Sequence, residues 1–551
     1  MEAGRRFEAL DLLRGLAIIG MAWAGMLPDT LPAWMYHGQL PPPNHIFNDQ
    51  IFGITWVDLV FPMFLFSMGA AMPLALQRRL DKGNSVASCV IQLLARAVLI
   101  AALSIFVKHL GPDSWSQTPD SNTWKIGLIG FGLIIAMFIR WPKPIPVWLG
   151  RLLTLAAWAG AVWLIHDHRF ADSRVGFARD RIDIILIVLA NVAASGGVIW
   201  IFTRCRPLVR VGISAAVALI FLTQSAAGSL GKLIWNFTPL QFSIFDRVRD
   251  KPWFPIFYHF EYHKYLLIVL PGTLCGDIIL RRLQKPAAPP GRPEVVPAES
   301  ETIEPAPTET TVDLREALRR QHEKSLQASA GSGSTNPEQT PQDPNPPFSA
   351  LTIRSSPRPD ETERPSPRLF ISAILALAAA PVACWGLFSR EVLLTSAILL
   401  AAGLVVVVLS WQDEIDMPLS RLGLAFVFLG LLAEPLGGGI RKDEPTLSYF
   451  FLTAGLGFWL VLGLGRLCEI RLFRRAVSPL TMTGQNPILA YCGITNLVGP
   501  VVGLTGFSAL VVNSRLGADP WLLALADGGV RVVFLVAVVV LFTKLKLFLR
   551  A

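Results

Sequence analysis

Residues 53–76 read GITWVDLVFPMFLFSMGAAMPLAL, and Asp58 is the one charged residue among them. The hydrocarbon core of a bilayer is about 30 Å thick, so a helix needs roughly 20 mostly apolar residues to cross it. This stretch therefore predicts a transmembrane helix. Comparable runs begin near Ala9, Val90, Trp124, Val147, Ile184, Leu208 and Tyr265, and again near Leu369, Val392, Leu422, Tyr449, Pro487 and Leu523. Those from Trp124, Leu208 and Leu422 are short enough to be re-entrant or broken, which gives an all-α polytopic bundle of about 11–14 spans.

Composition agrees. Of 551 residues 52% are hydrophobic and only 16% charged, against roughly a quarter charged in soluble domains, and the mean hydropathy is +0.49. An ordinary soluble enzyme is excluded. The net charge of +9 comes from Lys and Arg gathered at the ends of apolar runs, where they act as topology signals and not as a nucleic-acid surface. Six scattered cysteines without paired spacing predict neither a disulfide nor a metal site. The first apolar run lacks a small-residue cleavage site, so a retained span is expected there.

Basic residues are retained on the cytoplasmic side. Arg5, Arg6, Arg78, Arg79, Lys82, Arg140, Lys143, Arg281, Arg282, Lys285 and Arg466 all fall on one side if every run crosses. Both termini are then cytoplasmic, and the protein is expected in a bacterial inner membrane. Residues 27–53 contain no Lys or Arg and lie outside. The loop from His166 to Asp183 disagrees, because it holds four arginines on the side assigned to the exterior. Residues 284–367 are rich in Pro, Glu, Ser and Thr. Such a composition buries too little apolar surface to offset its ordering entropy, so a disordered cytoplasmic linker is expected between membrane bundles at 1–283 and 368–551.

Polar residues single out four places. Seven of eight histidines (all but His322) fall in outer loops or at outer helix ends. The outer loop 27–54 carries His37 and His45 among Pro28, Pro32 and Pro41–Pro43, which stiffen it by fixing φ. Neutral imidazole is a competent general base, although solvated histidines in an interfacial lid account for the same pattern. Thr55 and Asp58 have capping-box spacing; Asp58 could also orient the imidazole of His45 in the manner of a triad. Pro62 is expected to kink the helix that follows. Asp11 and Arg14 are spaced i, i+3 on the first span, either as an end pair or, for Arg14, as a phosphate contact. Gln485 and Asn486 precede Pro487, with Asn486 at an N-cap position; capping explains them, and contact with a cofactor's polar groups is the alternative.

Those places also carry a resemblance. ALDLLRGLAIIGM (9–21), GITWVDLVFPMFLFSMGAAMPLAL (53–76), YHKYLLIVLPGTLCGD (262–277) and TGQNPILAY (483–491) resemble the heparan-α-glucosaminide N-acetyltransferase-like family of multipass acyltransferases. The outer-loop sequence WMYHGQLPPPNH (34–45) is similar to a bacterial branch of it. The resemblance implies transfer of an acetyl group from cytosolic acetyl-CoA, with no metal, to an amino sugar, glycan or glycolipid on the far side of the bilayer. His45 would be base or transient acyl carrier, with His37 nearby and Asp58 orienting; Arg14, Asp11, Gln485 and Asn486 would line the cofactor path. By strict spacing the family's key histidine falls on Asn48, so His45 serves only with the loop shifted by three residues. Gly25 and Ile494 replace a family asparagine and histidine. A transporter or flippase for a lipid-linked sugar and a non-catalytic scaffold are the competing classes, and a homodimer is left open.

Overall fold

A computed structural model describes residues 7–27, 31–142, 144–178, 180–237, 258–284, 366–506 and 520–549, with side chains from 525 in the last segment. Arg5, Arg6, Pro28, Lys143, Arg179, Lys285, His322 and nearly all of the 284–367 linker lie outside these residues.

All fourteen apolar runs are helical. They are α1 (Glu8–Ala24), α2 (Trp56–Asp81), α3 (Val86–His109), α4 (Ser121–Phe138), α5 (Val147–His166), α6 (Ile184–Thr203), α7 (Pro207–Thr223) and α8 (Leu266–Gln284). After the linker come α9 (Pro367–Phe388), α10 (Val392–Leu409), α11 (Asp416–Ala433), α12 (Leu447–Glu469), a shorter α13 (Ser478–Gln485), α14 (Pro487–Thr505) and α15 (Pro520–Lys544). Eleven helices among the described residues are long and apolar enough to cross a bilayer, including those grown from the runs at Trp124 and Leu422; α7 remains short. The chain is an all-α multi-pass membrane protein. α2 is continuous through Pro62 and Pro73, so Pro62 does not end the helix.

The core lies along α2 and α12, whose apolar windows are 78% and 83% buried, while α5 and α15 are 22% buried and face outward. α2 crosses α8 with backbones nearly touching. A Cβ on Gly276 would lie 2.2 Å from the carbonyl oxygen of Ala70, and one on Gly69 would lie 2.3 Å from that of Val269. Without a hydrophobic force between helices in lipid, such small-residue contacts supply the packing. α12 also packs on α1, α2 and α8, so the described helices on both sides of the linker form one unit.

Hydrogen bonds place several loops at one end of the bundle. Gly53 N–H donates to Ile440 O at 2.7 Å, Ala171 N–H to Ser114 O at 3.0 Å, and Ala178 N–H to His109 Nε2 at 3.1 Å. The arginine-rich loop 166–183 shares an end with the loop that holds His37, because Ser114, Asp183 and His37 line one cavity. Two of its arginines are paired locally: Arg174 bonds Asp172 and Asp180, each at 2.7 Å, and Arg181 bonds Asp172 at 2.6 Å.

Candidate functional site

The loop between α1 and α2 owes its shape to more than proline. Buried Gln39 donates to Ile51 O at 3.1 Å and Gly53 O at 3.2 Å, folding the segment back on itself. Arg441, from the α11–α12 loop, donates to Asp49 O at 2.6 Å. Arg390 and Arg441 both stand over the Phe52 ring, at 5.5 and 5.4 Å, a favourable cation–π arrangement. Gly53 has φ +120°, and a Cβ there would lie 2.9 Å from Leu387 O. No other residue fits that turn.

This fold-back brings His37, and not His45, to Asp58. His37 Nδ1 lies 2.8 Å from Asp58 Oδ1. The fully buried carboxylate also accepts from Gly38 N–H at 3.1 Å and Thr55 N–H at 2.9 Å. A carboxylate ringed by donors is an acceptor only, so Nδ1 of His37 carries the shared proton and Nε2 is left as the basic nitrogen. The expectation that Asp58 orients His45 is corrected. Nδ1 of His45 instead lies 3.3 Å from Leu40 O, and its ring packs edge-on against Tyr36 at 4.6 Å. The reason is geometric: Thr55 Oγ1 donates to Tyr36 O at 2.6 Å, which seats the residue beside His37 on the start of α2.

Lys442 is a site residue that the sequence did not single out. Its Nζ lies 3.0 Å from His37 Nδ1 and 3.4 Å from Nε2. One signal was available, since Arg441 and Lys442 form a basic pair in a loop on the side otherwise poor in such pairs.

His37, His45 and Lys442 line a cavity of about 480 Å³. Lys108, Asp113 and Asp183 add charge to its wall; Met21, Val60, Phe61 and Ile494 give it an apolar side. Tyr491 OH donates to Asp183, 2.9 Å from each carboxylate oxygen. Ile494 and Thr495 are presented by a π-helical turn, Ile494–Val498, and Asn496 in that turn donates to Val107 O at 3.2 Å. Pro500 follows and has no N–H with which to continue the regular ladder. Gly25 and Ile494, two of the positions that depart from the resembled family, both line this cavity.

His109, His168 and His263 are held in the packing of the protein. His109 is fully buried, with Nδ1 2.8 Å from Ile105 O and Nε2 accepting from Ala178. His168 stacks on Trp115 at 3.6 Å, and burial and then Arg181 lower its basicity. Burial likewise lowers that of His263.

The cofactor-path set lies apart from the cavity lining. α1 and α13 touch closely enough that a Cβ on Gly484 would be 1.8 Å from Asp11 O. Arg14 donates to Gly484 O at 3.3 Å and Ser67 O at 3.2 Å, and stands 3.5 Å from Asp11. Asn486 holds the N-cap position but makes no side-chain capping bond; its amide donates to Leu547 O at 2.8 Å and accepts from Leu549 N–H at 3.4 Å. Arg14 and Asn486 are thus engaged with protein backbone, and only Gln485, half-buried at the end of α13, has no described partner.

An all-α membrane bundle with a histidine–carboxylate pair at a cavity near one end defines the class of protein. Residues 6–279, just under half of the chain, match the family described as a domain of unknown function, DUF5009. The chain is also similar to the heparan-alpha-glucosaminide N-acetyltransferase of Mus musculus, 25% identical over 149 residues. That alignment covers 26% of this chain and 21% of the mouse protein, so it supports a distant relationship and no more.

Proposed function

We propose that the chain is a membrane acyltransferase that moves an acetyl group from acetyl-CoA to an amine on a sugar, glycan or glycolipid. The observation that carries this reading is the Asp58–His37 pair, whose imidazole lines the cavity. The printed name of the distant mouse relative, an N-acetyltransferase, supports the reaction class.

With Nδ1–H fixed by Asp58, Nε2 of His37 is the base. The acceptor nitrogen attacks the thioester carbonyl, a C–N bond forms and the C–S bond breaks. The proton lost by nitrogen passes through Nε2 to the departing CoA sulfur, so amide and free thiol are the products and His37 is regenerated. The apolar wall of Met21, Val60, Phe61 and Ile494 suits the acyl thioester. Because Arg14 and Asn486 already serve the fold, no step is assigned to them. The acetyl donor would be cytosolic and the acceptor on the opposite side, as the distribution of basic loops implies.

The test is CoA release from labelled acetyl-CoA by the purified full chain in nanodiscs, with and without amino sugars. Acceptor-dependent release that is lost in His37→Ala supports the reading. Release that ignores acceptor, or survives that substitution, defeats it.

A further inference from the structure

We infer that the cavity binds a ligand bearing both a phosphate and an amine. Lys108, the penultimate residue of α3, and Lys442, from the α11–α12 loop, line the same space. Among the described residues neither forms an ion pair with a carboxylate; Lys442 meets His37, and no side-chain partner is described for Lys108. Two ammonium groups from separate elements match a phosphomonoester, whose charge near pH 7 approaches −2, and lysine binds phosphate as a point charge.

Neither carboxylate on the cavity wall forms an ion pair with these lysines, and Asp58, which attracts Lys442 from behind His37, is itself engaged by His37, Gly38 and Thr55. Asp183 accepts from Tyr491 and, through Oδ1, from Leu186 N–H at 3.1 Å, which fixes it as the cap of α6. Asp113 lines the cavity from the short helix Pro112–Trp115 and is exposed. Cations and carboxylates that line one cavity without pairing form a zwitterionic surface. Its complement is an ammonium joined to a phosphate, as in an amino-sugar phosphate or an aminophosphate lipid headgroup. Trp34, Ile46 and Phe47 are exposed on the same loop as His37, giving apolar surface for a lipid-borne form. The site stands without the transfer reading, which it extends by naming an acceptor class.

The test is direct binding to the full chain in phosphatidylcholine nanodiscs, without acetyl-CoA, so that transfer and binding succeed or fail separately. Glucosamine 1-phosphate should bind at least about tenfold tighter than glucosamine, which lacks the phosphate, or N-acetylglucosamine 1-phosphate, which lacks the amine. Lys108→Gln and Lys442→Gln together should erase the advantage over glucosamine, and the corresponding arginine variants should keep most of it. Lys108→Gln alone removes an exposed side chain and gives a well-folded partial loss if the double variant misfolds. Adding phosphatidylethanolamine to the nanodiscs separates the sources: competition assigns the lipid headgroup, and no competition assigns the soluble phosphate. Equal binding of the three sugars, or a phosphate advantage that survives loss of both lysines, overturns the inference.

Discussion

Lys442 and His37 are 405 residues apart in the chain, yet Nζ of one lies 3.0 Å from Nδ1 of the other. The contact exists because Gly53 N–H and Asp49 O tie the loop before α2 to the loop before α12.

From the Asp58 contact follows a division between the two loop histidines. His37→Ala should abolish acetyl transfer, whereas His45→Ala should retain a measurable rate. Asp58→Asn, which keeps the shape but cannot fix the same tautomer, should lower kcat by at least about a hundredfold. Single-turnover kinetics with labelled acetyl-CoA measure all three, and equal loss in the His37 and His45 variants would remove the distinction.

Arg210 is wholly buried; it pairs with Asp277 and donates to Thr273 Oγ1 at 2.9 Å, while Trp200 Nε1 donates to Asp277 at 2.9 Å. Removing one partner leaves an uncompensated charge, so Asp277→Ala should destabilise the protein by about 3–5 kcal/mol. Replacing both by apolar residues, Arg210→Met with Asp277→Leu, should recover most of that loss. Thermal unfolding in detergent reads the difference, and a double variant no more stable than Asp277→Ala counts against an ion-pair account.

At the α2–α8 crossing, Gly276→Val would drive a Cβ to within 2.2 Å of Ala70 O. Backbone must shift, at a cost of at least about 1–3 kcal/mol. Unfolding at the wild-type temperature would show that the helices separate without strain.

The loop 166–183 should loosen in acid. Hydrogen bonds from Arg174 hold Asp180 below the ordinary carboxylate value. For Asp172, burial pushes upward, but bonds from Arg174 and Arg181 prevail and hold it below that value too. Because the folded values are depressed, the stabilisation is complete above the unfolded value of about 3.9 and fades as pH falls through the folded ones. Amide exchange in residues 169–178, corrected for intrinsic rates, should therefore quicken between about pH 5 and pH 2; constant protection would count against the bridges as the tie.

The membrane spans were legible in the sequence because lipid imposes a local rule. Backbone groups must be satisfied within each span, so length and hydropathy alone located fourteen helices, and capping spacing fixed the start of α2 at Thr55. Short runs misled: those at Trp124 and Leu422 gain full length from polar turns, such as Ser121–Thr123, that hydropathy does not count. Partners were not legible. Thirteen residues separate His45 from Asp58 and twenty-one separate His37, and nearness in sequence favoured the wrong histidine. Tertiary structure decided the choice, through the fold-back around buried Gln39 and the Thr55–Tyr36 bond. It also brought in Lys442, Asp183 and Tyr491, since contacts between loops of distant helices depend on how whole helices pack and no local pattern records them.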